Sequence, residues 1–269
     1  MVKSTGDNFP DGGGTSQALP MPRLMPLGKG LQRRDRQPEV MDQPGLDPGE
    51  HARALAGLRL INGISGLAGS LLAPIEALAR HRGGVPLQVL ELACGGGDTA
   101  IDLTLLARRR GLALELRACD LNPEAVRIAQ ANAQRRGAAV ELLCADALTA
   151  PQSPGEADVV FCSLFLHHLS DADAERLLAL MAQRARHLVL VNDLIRSRLG
   201  YALAWAGTRL LSRSWVVHTD GPLSVRAAFQ PAEVLAMAER AGLAGAALQR
   251  CWPERYLLRW ERDLGQGHG

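Results

Sequence analysis

The sequence predicts an α/β fold, in which a doubly wound, mostly parallel sheet is covered by helices on both faces. Short apolar runs of strand length alternate with longer segments whose apolar residues recur at helical spacing. The alternation begins at Leu87 and continues to Val191, and strands separated by helices are typical of parallel sheets. A chain of 269 residues is long enough for one such domain with additional segments.

The predicted elements follow one another in a regular order. Predicted strands cover residues 87–92, 112–119, 140–144, 158–162, 187–191 and 256–260. Predicted helices cover residues 48–64, 67–80, 100–110, 123–136 and 171–184, and one more begins after Pro231. The first of these helices has an N-cap residue, Asp47, followed by Pro48.

The chain divides into three predicted regions. Residues 1–47 are rich in Gly, Pro, Gln and charge and lack apolar periodicity, so we expect a disordered leader. A further hypothesis is that the natural start lies at Met41. Residues 48–84 are expected to form a helical cap, and residues 85–269 a ligand-binding domain in which residues 194–229 are an insertion that covers the ligand.

Charge and cysteine content exclude several classes of protein. The 30 Lys and Arg residues nearly balance the 28 Asp and Glu residues, so we expect no nucleic-acid partner. The most apolar stretch, residues 58–79, is interrupted by charges, glycines and Pro74, so we expect no membrane span. The five cysteines form no Cys-x-x-Cys pair, which predicts reduced thiols and a cytoplasmic protein.

A glycine-rich loop, residues 95–97, follows the first strand of the predicted sheet. In open α/β sheets, ligands bind beyond the carboxyl ends of the strands, and this first turn approaches them most closely. The glycines alone also fit a dinucleotide site, and therefore an NAD-linked oxidoreductase. Glu91 and Asp98 favour a ligand with an amino group and a sulfonium, because Asp98 places negative charge where a pyrophosphate would bind.

Two further carboxylates follow later strands. Asp120 ends the second strand, where a carboxylate can accept hydrogen bonds from both hydroxyls of a ribose. Asp146 follows the third strand, where it can accept from an adenine amino group, although a loop-turn Asp is an alternative interpretation. Both positions favour an adenosine ligand.

Four motifs in the right order resemble motifs I to IV of the class I S-adenosylmethionine (SAM)-dependent methyltransferases. They are residues 89–98 (VLELACGGGD), 119–123 (CDLNP), 145–147 (ADA) and 158–161 (DVVF). The resemblance covers residues 85–193, departs from the family at Ala93, where Gly is frequent, and implies a seven-stranded sheet. It implies that SAM is bound by Glu91, Ala93, Cys94, Gly95, Gly97, Asp98, Asp120, Leu121, Asp146, Ala147 and Ser163.

Within that family, the sequence is similar to small-molecule enzymes. The Gly-Gly-Gly-Asp loop resembles that of quinone-biosynthesis methyltransferases, and residues 165–169 (FLHHL) resemble methyltransferases of bacterial secondary metabolism. We therefore expect an apolar acceptor, namely a hydroxylated aromatic, a polyketide or a quinone-like compound, and O-methylation. A homodimer is a further expectation for this chain.

The acceptor side is predicted from histidines and from the insertion. A hydroxyl acceptor needs a base, and histidine is suited to that role near neutral pH; the candidates are His167, His168 and His218. The substrate-binding candidates are Tyr201, Trp205 and Arg226, although Arg226 is expected rather to pair with Asp220. Because no Asp/Asp/Asn cluster with magnesium geometry is evident, we expect metal-independent transfer.

Three other functions fit parts of the sequence. They are the NAD-linked oxidoreductase, a SAM-binding module without turnover, and a nucleic-acid methyltransferase. Asp98 and the Asp146 motif argue against the first of these. The near-neutral charge, and the absence of an Asn/Asp-Pro-Pro-aromatic motif after the fourth strand, argue against the third.

Overall fold

A computed structural model describes residues 30–43, 45–148 and 154–262. The strands are β1 Leu87–Leu92, β2 Leu114–Asp120, β3 Val140–Cys144, β4 Ala157–Ser163, β5 Ala185–Leu194, β6 Ala247–Cys251 and β7 Arg255–Glu261. The helices are α1 Pro48–Ile64, α2 Leu67–His81, α3 Asp98–Arg109, α4 Pro123–Arg136, α5 Asp171–Arg184, α6 Arg198–Leu211, α7 Trp215–Ala227 and α8 Pro231–Arg240.

The seven strands form one mixed sheet in the order β3-β2-β1-β4-β5-β7-β6. The first five strands pair in parallel, whereas β7 is antiparallel to both β5 and β6. The predicted α/β fold with a seven-stranded sheet is confirmed. Strand β6 was not predicted, because it lies at the edge of the sheet and its residues are largely exposed and polar.

The core lies on both faces of the sheet. Along β1, Val89 packs into one apolar cluster, whereas Leu90 and Leu92 pack into the other. Helix α2 belongs to the first of these clusters, through Leu71 and Ile75, which are fully buried. The predicted cap of residues 48–84 therefore separates into two parts, because α2 packs on the sheet while α1 covers the cavity described below.

The prediction of a disordered leader over residues 1–47 is wrong for the part from residue 30 onward. Arg34 donates hydrogen bonds to the carbonyl oxygens of His167 and Leu169, and its guanidinium lies 3.6 Å from the centre of the Phe229 ring. The backbone amides of residues 40 and 41 donate to the Asp220 carboxylate at 2.8 and 3.0 Å. These contacts stabilise a segment that has no local apolar pattern. Residues 1–29 lie outside the described part of the chain.

The predicted insertion, residues 194–229, contains helices α6 and α7. Helix α7 includes Pro222 and was not predicted as a helix, because an internal Pro normally ends one. Both helices contact α1. Among the described helices, none is long and apolar enough to cross a membrane alone; α1 and α2 meet that criterion only together and are bent by 52° at their junction.

Candidate functional site

A cavity of about 910 Å³ opens at the carboxyl ends of β1, β2 and β4. We call the part lined by the loop after β1, by Asp120 and the start of α4, and by Ser163 and Leu164 the cofactor half. We call the described residues that precede α1 the N-terminal segment. We call the part of the cavity lined by that segment and by one side of α1, α6 and α7, together with His167 and His168, the acceptor half. The two halves form one continuous space, so a ligand in one can reach a ligand in the other.

The loop after β1 has a backbone that brings its glycines close to the cavity. Gly95 and Gly97 have φ values of 52° and 76°, in the left-handed region that favours glycine. A Cβ on Gly95 would meet no atom within 4 Å, whereas a Cβ on Gly97 would lie 2.8 Å from the Cβ of Ala129. Gly95 therefore leaves space for a ligand, and Gly97 allows α4 to pack closely. Ala93 also has a positive φ, 55°, at the position where the family often has Gly.

Asp120 ends β2 and faces the cofactor half. One carboxylate oxygen accepts from the Gly95 amide at 2.8 Å, and the other accepts from the Asn122 amide at 2.9 Å. These two bonds hold the carboxylate at the cavity wall, and a carboxylate keeps further lone pairs for donors such as ribose hydroxyls.

Two acids, the buried Glu91 and the half-buried Asp98, fit the amino group of a ligand at this loop. Glu91 lies behind the cavity wall, 2.9 Å from the Ser163 hydroxyl, and burial raises its pKa to about 8. Asp98 lines the cavity at the N-terminus of α3, and burial raises its pKa as well. Within the described residues, Glu91 Oε2 and Asp98 Oδ1 are buried without a hydrogen-bond partner. A cationic amino group next to Asp98 would supply a missing donor.

The predicted adenine contacts lie beside the cavity rather than in its lining. Asp146 Oδ1 accepts from the Leu148 amide at 2.8 Å, and Ala147 is buried at the carboxyl end of β3. Leu121 is exposed and does not line the cavity. Their roles in binding the adenine stay predictions. The remaining predicted cofactor residues, Ala93, Cys94 and Ser163, line the cavity.

A histidine and an aspartate form a buried pair in the acceptor half. His167 Nδ1 lies 2.6 Å from Asp193 Oδ1, and the His167 amide donates to the other oxygen at 3.1 Å. Burial opposes a charge on His167, but the Asp193 carboxylate outweighs this effect and raises the His167 pKa. Because Nδ1 is occupied by Asp193, Nε2 is the nitrogen that remains for a ligand.

His168 and Glu39 complete this end of the cavity. The rings of His167 and His168 have centroids 4.2 Å apart, and burial lowers the His168 pKa to about 3. Glu39 Oε1 lies 3.8 Å from His167 Nε2, and burial raises the Glu39 pKa to about 7. Each of the three offers a possible metal-ligand atom, and these atoms lie within 4.8 Å of one another.

Four predicted acceptor residues, namely His218, Tyr201, Trp205 and Arg226, do not line the cavity. His218 is on α7 and its Nε2 lies 2.8 Å from the Ser212 carbonyl oxygen. Tyr201 is buried and Trp205 is half exposed on α6, whereas the cavity is lined by other residues of that helix, including Leu203 and Thr208. The amphipathic pattern of α6 did not indicate which side of the helix faces the ligand.

The predicted pairing of Arg226 with Asp220 is also wrong. Arg226 forms an ion pair with Asp35 of the N-terminal segment and is itself buried. Asp220 instead accepts the backbone amides of residues 40 and 41. Both side chains therefore hold the N-terminal segment in place.

Two residues of the site were missed by the sequence analysis. Asp193 lies two residues beyond the predicted end of the fifth strand, so the rule that ligand groups follow strand ends could have indicated it. Glu39 comes from the segment that was expected to be disordered, and no local pattern marks it.

The strand order, the loop after β1 and the carboxylate after β2 together define a class I SAM-dependent methyltransferase domain. Comparison with known proteins agrees: a family model described as "Methyltransferase domain" matches residues 89–187. The chain therefore contains a class I SAM-dependent methyltransferase domain, and SAM is the cofactor of that domain.

One curated relative is the ubiquinone biosynthesis O-methyltransferase of Cupriavidus pinatubonensis, which is 29% identical over 186 residues. That alignment covers 68% of this chain and 64% of the relative, so the chain spans somewhat less than two thirds of that protein.

Two solved structures show the same fold. The magnesium protoporphyrin IX methyltransferase of Synechocystis PCC 6803, with bound SAH, has a TM-score of 0.51 at 17% identity and covers 82% of this chain and 90% of its own. An O-methyltransferase family protein of Burkholderia thailandensis has a TM-score of 0.50 at 21% identity, and the match covers 66% of this chain and 52% of that protein.

Proposed function

We propose that the protein transfers the methyl group of SAM to a hydroxyl oxygen of a largely apolar small molecule. The observation that carries this proposal is the acceptor half of the cavity, where an apolar wall leads to one polar end. We infer a hydroxylated aromatic, a polyketide or a quinone-like compound as the acceptor.

The apolar wall is formed by helices that lie outside the central sheet. Helix α1 contributes Leu55, Leu58 and Ile61, and α6 contributes Leu203 and Leu211. Such a wall favours a ligand with extensive apolar surface, because burying that surface contributes about 25 cal/mol per Å². Sites of this kind use a few polar groups to orient the ligand.

The polar end provides that orientation. Glu39, His167 and His168 lie together at one end of the acceptor half, and the acceptor half is continuous with the cofactor half. When bound, SAM supplies an electrophilic methyl group on a sulfonium. The protein holds the acceptor hydroxyl in line with that methyl group and removes its proton, and such alignment is the main contribution an enzyme makes to this displacement.

The relatives support oxygen as the methylated atom. The curated relative is named as an O-methyltransferase, and so is the Burkholderia structure. Cytoplasmic location, a role in secondary metabolism, a homodimer and the absence of a nucleic-acid partner stay predictions.

The test is a methyl-transfer assay with purified protein, SAM and a panel of hydroxylated aromatic compounds. Mass spectrometry follows the methylated product and S-adenosylhomocysteine together. We expect both in equal amounts from at least one phenolic acceptor, and neither from an Asp120→Ala variant. If the protein binds S-adenosylhomocysteine but methylates no compound of the panel or of a cell extract, the SAM-binding module without turnover becomes the better interpretation.

A further inference from the structure

We propose that Glu39, His167 and His168 bind one divalent transition-metal ion at the polar end of the acceptor half. The site itself is argued from the geometry of these residues. Only the role of the ion, activation of the acceptor hydroxyl, rests on the proposed function. This inference departs from the sequence-based expectation of metal-independent transfer.

The spacing of the three side chains suits an ion better than it suits direct hydrogen bonds. Their possible ligand atoms lie within 4.8 Å of one another, and Glu39 Oε1 is 3.8 Å from His167 Nε2. No hydrogen bond joins any two of these three side chains. Ligand atoms that share one zinc ion at about 2.0–2.2 Å are themselves roughly 3.3 Å apart. A small side-chain movement therefore brings all three onto one ion.

The residues around the cluster form an outer shell of the kind that metal sites use. Asp193 accepts from His167 Nδ1 at 2.6 Å, which fixes the tautomer and directs the lone pair of Nε2 away from Asp193. The Ser224 hydroxyl donates to Glu39 Oε1 and so restrains the carboxylate. Asp193 is 1% exposed, so this support is rigid and shielded from water.

The ligand set indicates the class of ion. Two imidazoles and one carboxylate suit zinc, iron(II), cobalt(II) or manganese(II), whereas magnesium and calcium prefer oxygen ligands. Three protein ligands leave at least one coordination position open, as in catalytic zinc sites. All three residues line the cavity, so the open position is accessible to an acceptor.

The ion would activate the acceptor directly. A hydroxyl oxygen bound to it loses its proton more readily, and that proton leaves to solvent. The resulting oxyanion forms the new O–C bond to the methyl carbon as the C–S bond breaks, and the sulfonium becomes a neutral thioether. Atoms and charge balance without an oxidant or reductant.

The experiment is a cobalt(II) titration of protein whose affinity tag has been removed, after dialysis against a chelator. Visible absorption of coordinated cobalt reports binding without any need for activity, and zinc is then added as a competitor. A Cys144→Ser background removes the one exposed thiol among the described cysteines. We expect one ion per chain, and affinity reduced at least about tenfold by Glu39→Gln or His168→Gln. The matched control is His51→Gln, a histidine that lines the cavity outside the cluster.

Binding of S-adenosylhomocysteine and thermal melting are measured for every variant, and we expect both to be unchanged. The proposal fails if cobalt and zinc show no saturable binding at one ion per chain, or if Glu39→Gln and His168→Gln bind as tightly as the control. If cobalt binds as expected but chelated protein still methylates its acceptor at the full rate, the role of the ion in turnover is overturned, while the metal site and the proposed function stand. If the protein binds the metal but methylates no acceptor, the metal site stands and the proposed function is overturned.

Discussion

The cofactor half and the acceptor half of the cavity are built in different ways. The cofactor half is formed by the ends of neighbouring strands, and its contacts join residues that are close in sequence. Gly95 and Asp120, for example, are 25 positions apart. The acceptor half uses an N-terminal segment held by the insertion, and the contact of residue 40 with Asp220 spans 180 residues. The sheet thus defines the cofactor site, while distant appendages define the acceptor site.

This difference implies that the two halves can be disrupted separately. A variant in the cofactor half changes cofactor affinity or the stability of the sheet. A variant that releases the N-terminal segment changes acceptor turnover and leaves cofactor affinity intact.

The largest effect is expected for Asp120→Ala. It removes the acceptor of the Gly95 amide and of the ribose hydroxyls, and hydrogen bonds to a charged group contribute about 1.5–3 kcal/mol each. We expect calorimetry with S-adenosylhomocysteine to show at least about a hundredfold weaker binding. Glu115→Gln, an exposed position on the same strand, is the control. Unchanged affinity in Asp120→Ala would remove Asp120 from the cofactor site.

Comparing Gly97→Ala with Gly95→Ala distinguishes the glycine needed for helix packing from the glycine needed for ligand contact. The added Cβ meets Ala129 at 2.8 Å and the backbone is left-handed, so we expect a loss of about 3 kcal/mol in the free energy of unfolding. Gly95→Ala has the same backbone conformation but open space around it. We expect a smaller loss of stability there and a larger loss of cofactor affinity. Equal urea midpoints for the two variants would contradict this distinction.

The raised pKa of Glu91 predicts how the free energy of unfolding depends on pH. Its pKa is about 8 in the folded protein and 4.5 when exposed, so the folded state retains the proton that the unfolded state releases between these values. Its contribution is therefore complete below the unfolded pKa and is lost as pH rises toward 8. Glu91→Gln removes this dependence. Between pH 5 and pH 7 we expect the free energy of unfolding to decrease by roughly 2 kcal/mol less in the variant than in the wild type. Parallel profiles would mean that Glu91 is ionised in the folded state.

Arg34→Met tests the acceptor half. It removes the hydrogen bonds from the N-terminal segment to the carbonyl oxygens of His167 and Leu169. We expect kcat/KM for the acceptor to fall about tenfold, equivalent to about 1.4 kcal/mol, with unchanged S-adenosylhomocysteine affinity. Arg33→Met, at the exposed neighbouring position, is the control. Equal loss of cofactor affinity would show that the halves are coupled.

Ala93→Gly is expected to have the smallest effect. Its φ of 55° is strained for Ala, but Gly loses more entropy on folding, so the two effects nearly cancel. We expect a gain of about 0.5 kcal/mol in stability, measured by thermal unfolding, with unchanged cofactor binding. A loss of stability would indicate that the methyl group of Ala93 contributes packing.

Sequence reasoning was most successful where structure is local. The predicted helices over residues 123–136 and 171–184 agree with α4 and α5, because caps and apolar periodicity mark them within a few residues. Asp120 was correctly predicted to end the second strand, because the end of a strand is visible in the local sequence pattern. By contrast, β6 was missed because its exposed edge position gives no apolar run.

The same reasoning was less successful for the acceptor half. His167 and His168 follow a strand end and were predicted to lie near the ligand, and both line the cavity. His218, Tyr201 and Trp205 lie on helices whose rotation depends on what they pack against, so their sequence positions did not determine which side faces the ligand.

The sequence by itself determined the α/β fold and the position of the glycine-rich loop and of Asp120 at the ends of neighbouring strands, because strand ends, turns and helix starts are set by neighbouring residues. Only the tertiary structure brought Glu39 to His167 and paired Asp35 with Arg226. Those contacts join residues more than a hundred positions apart, and no local pattern encodes them. Their physical origin is long-range hydrogen bonding and burial, and these depend on partners that the rest of the fold supplies.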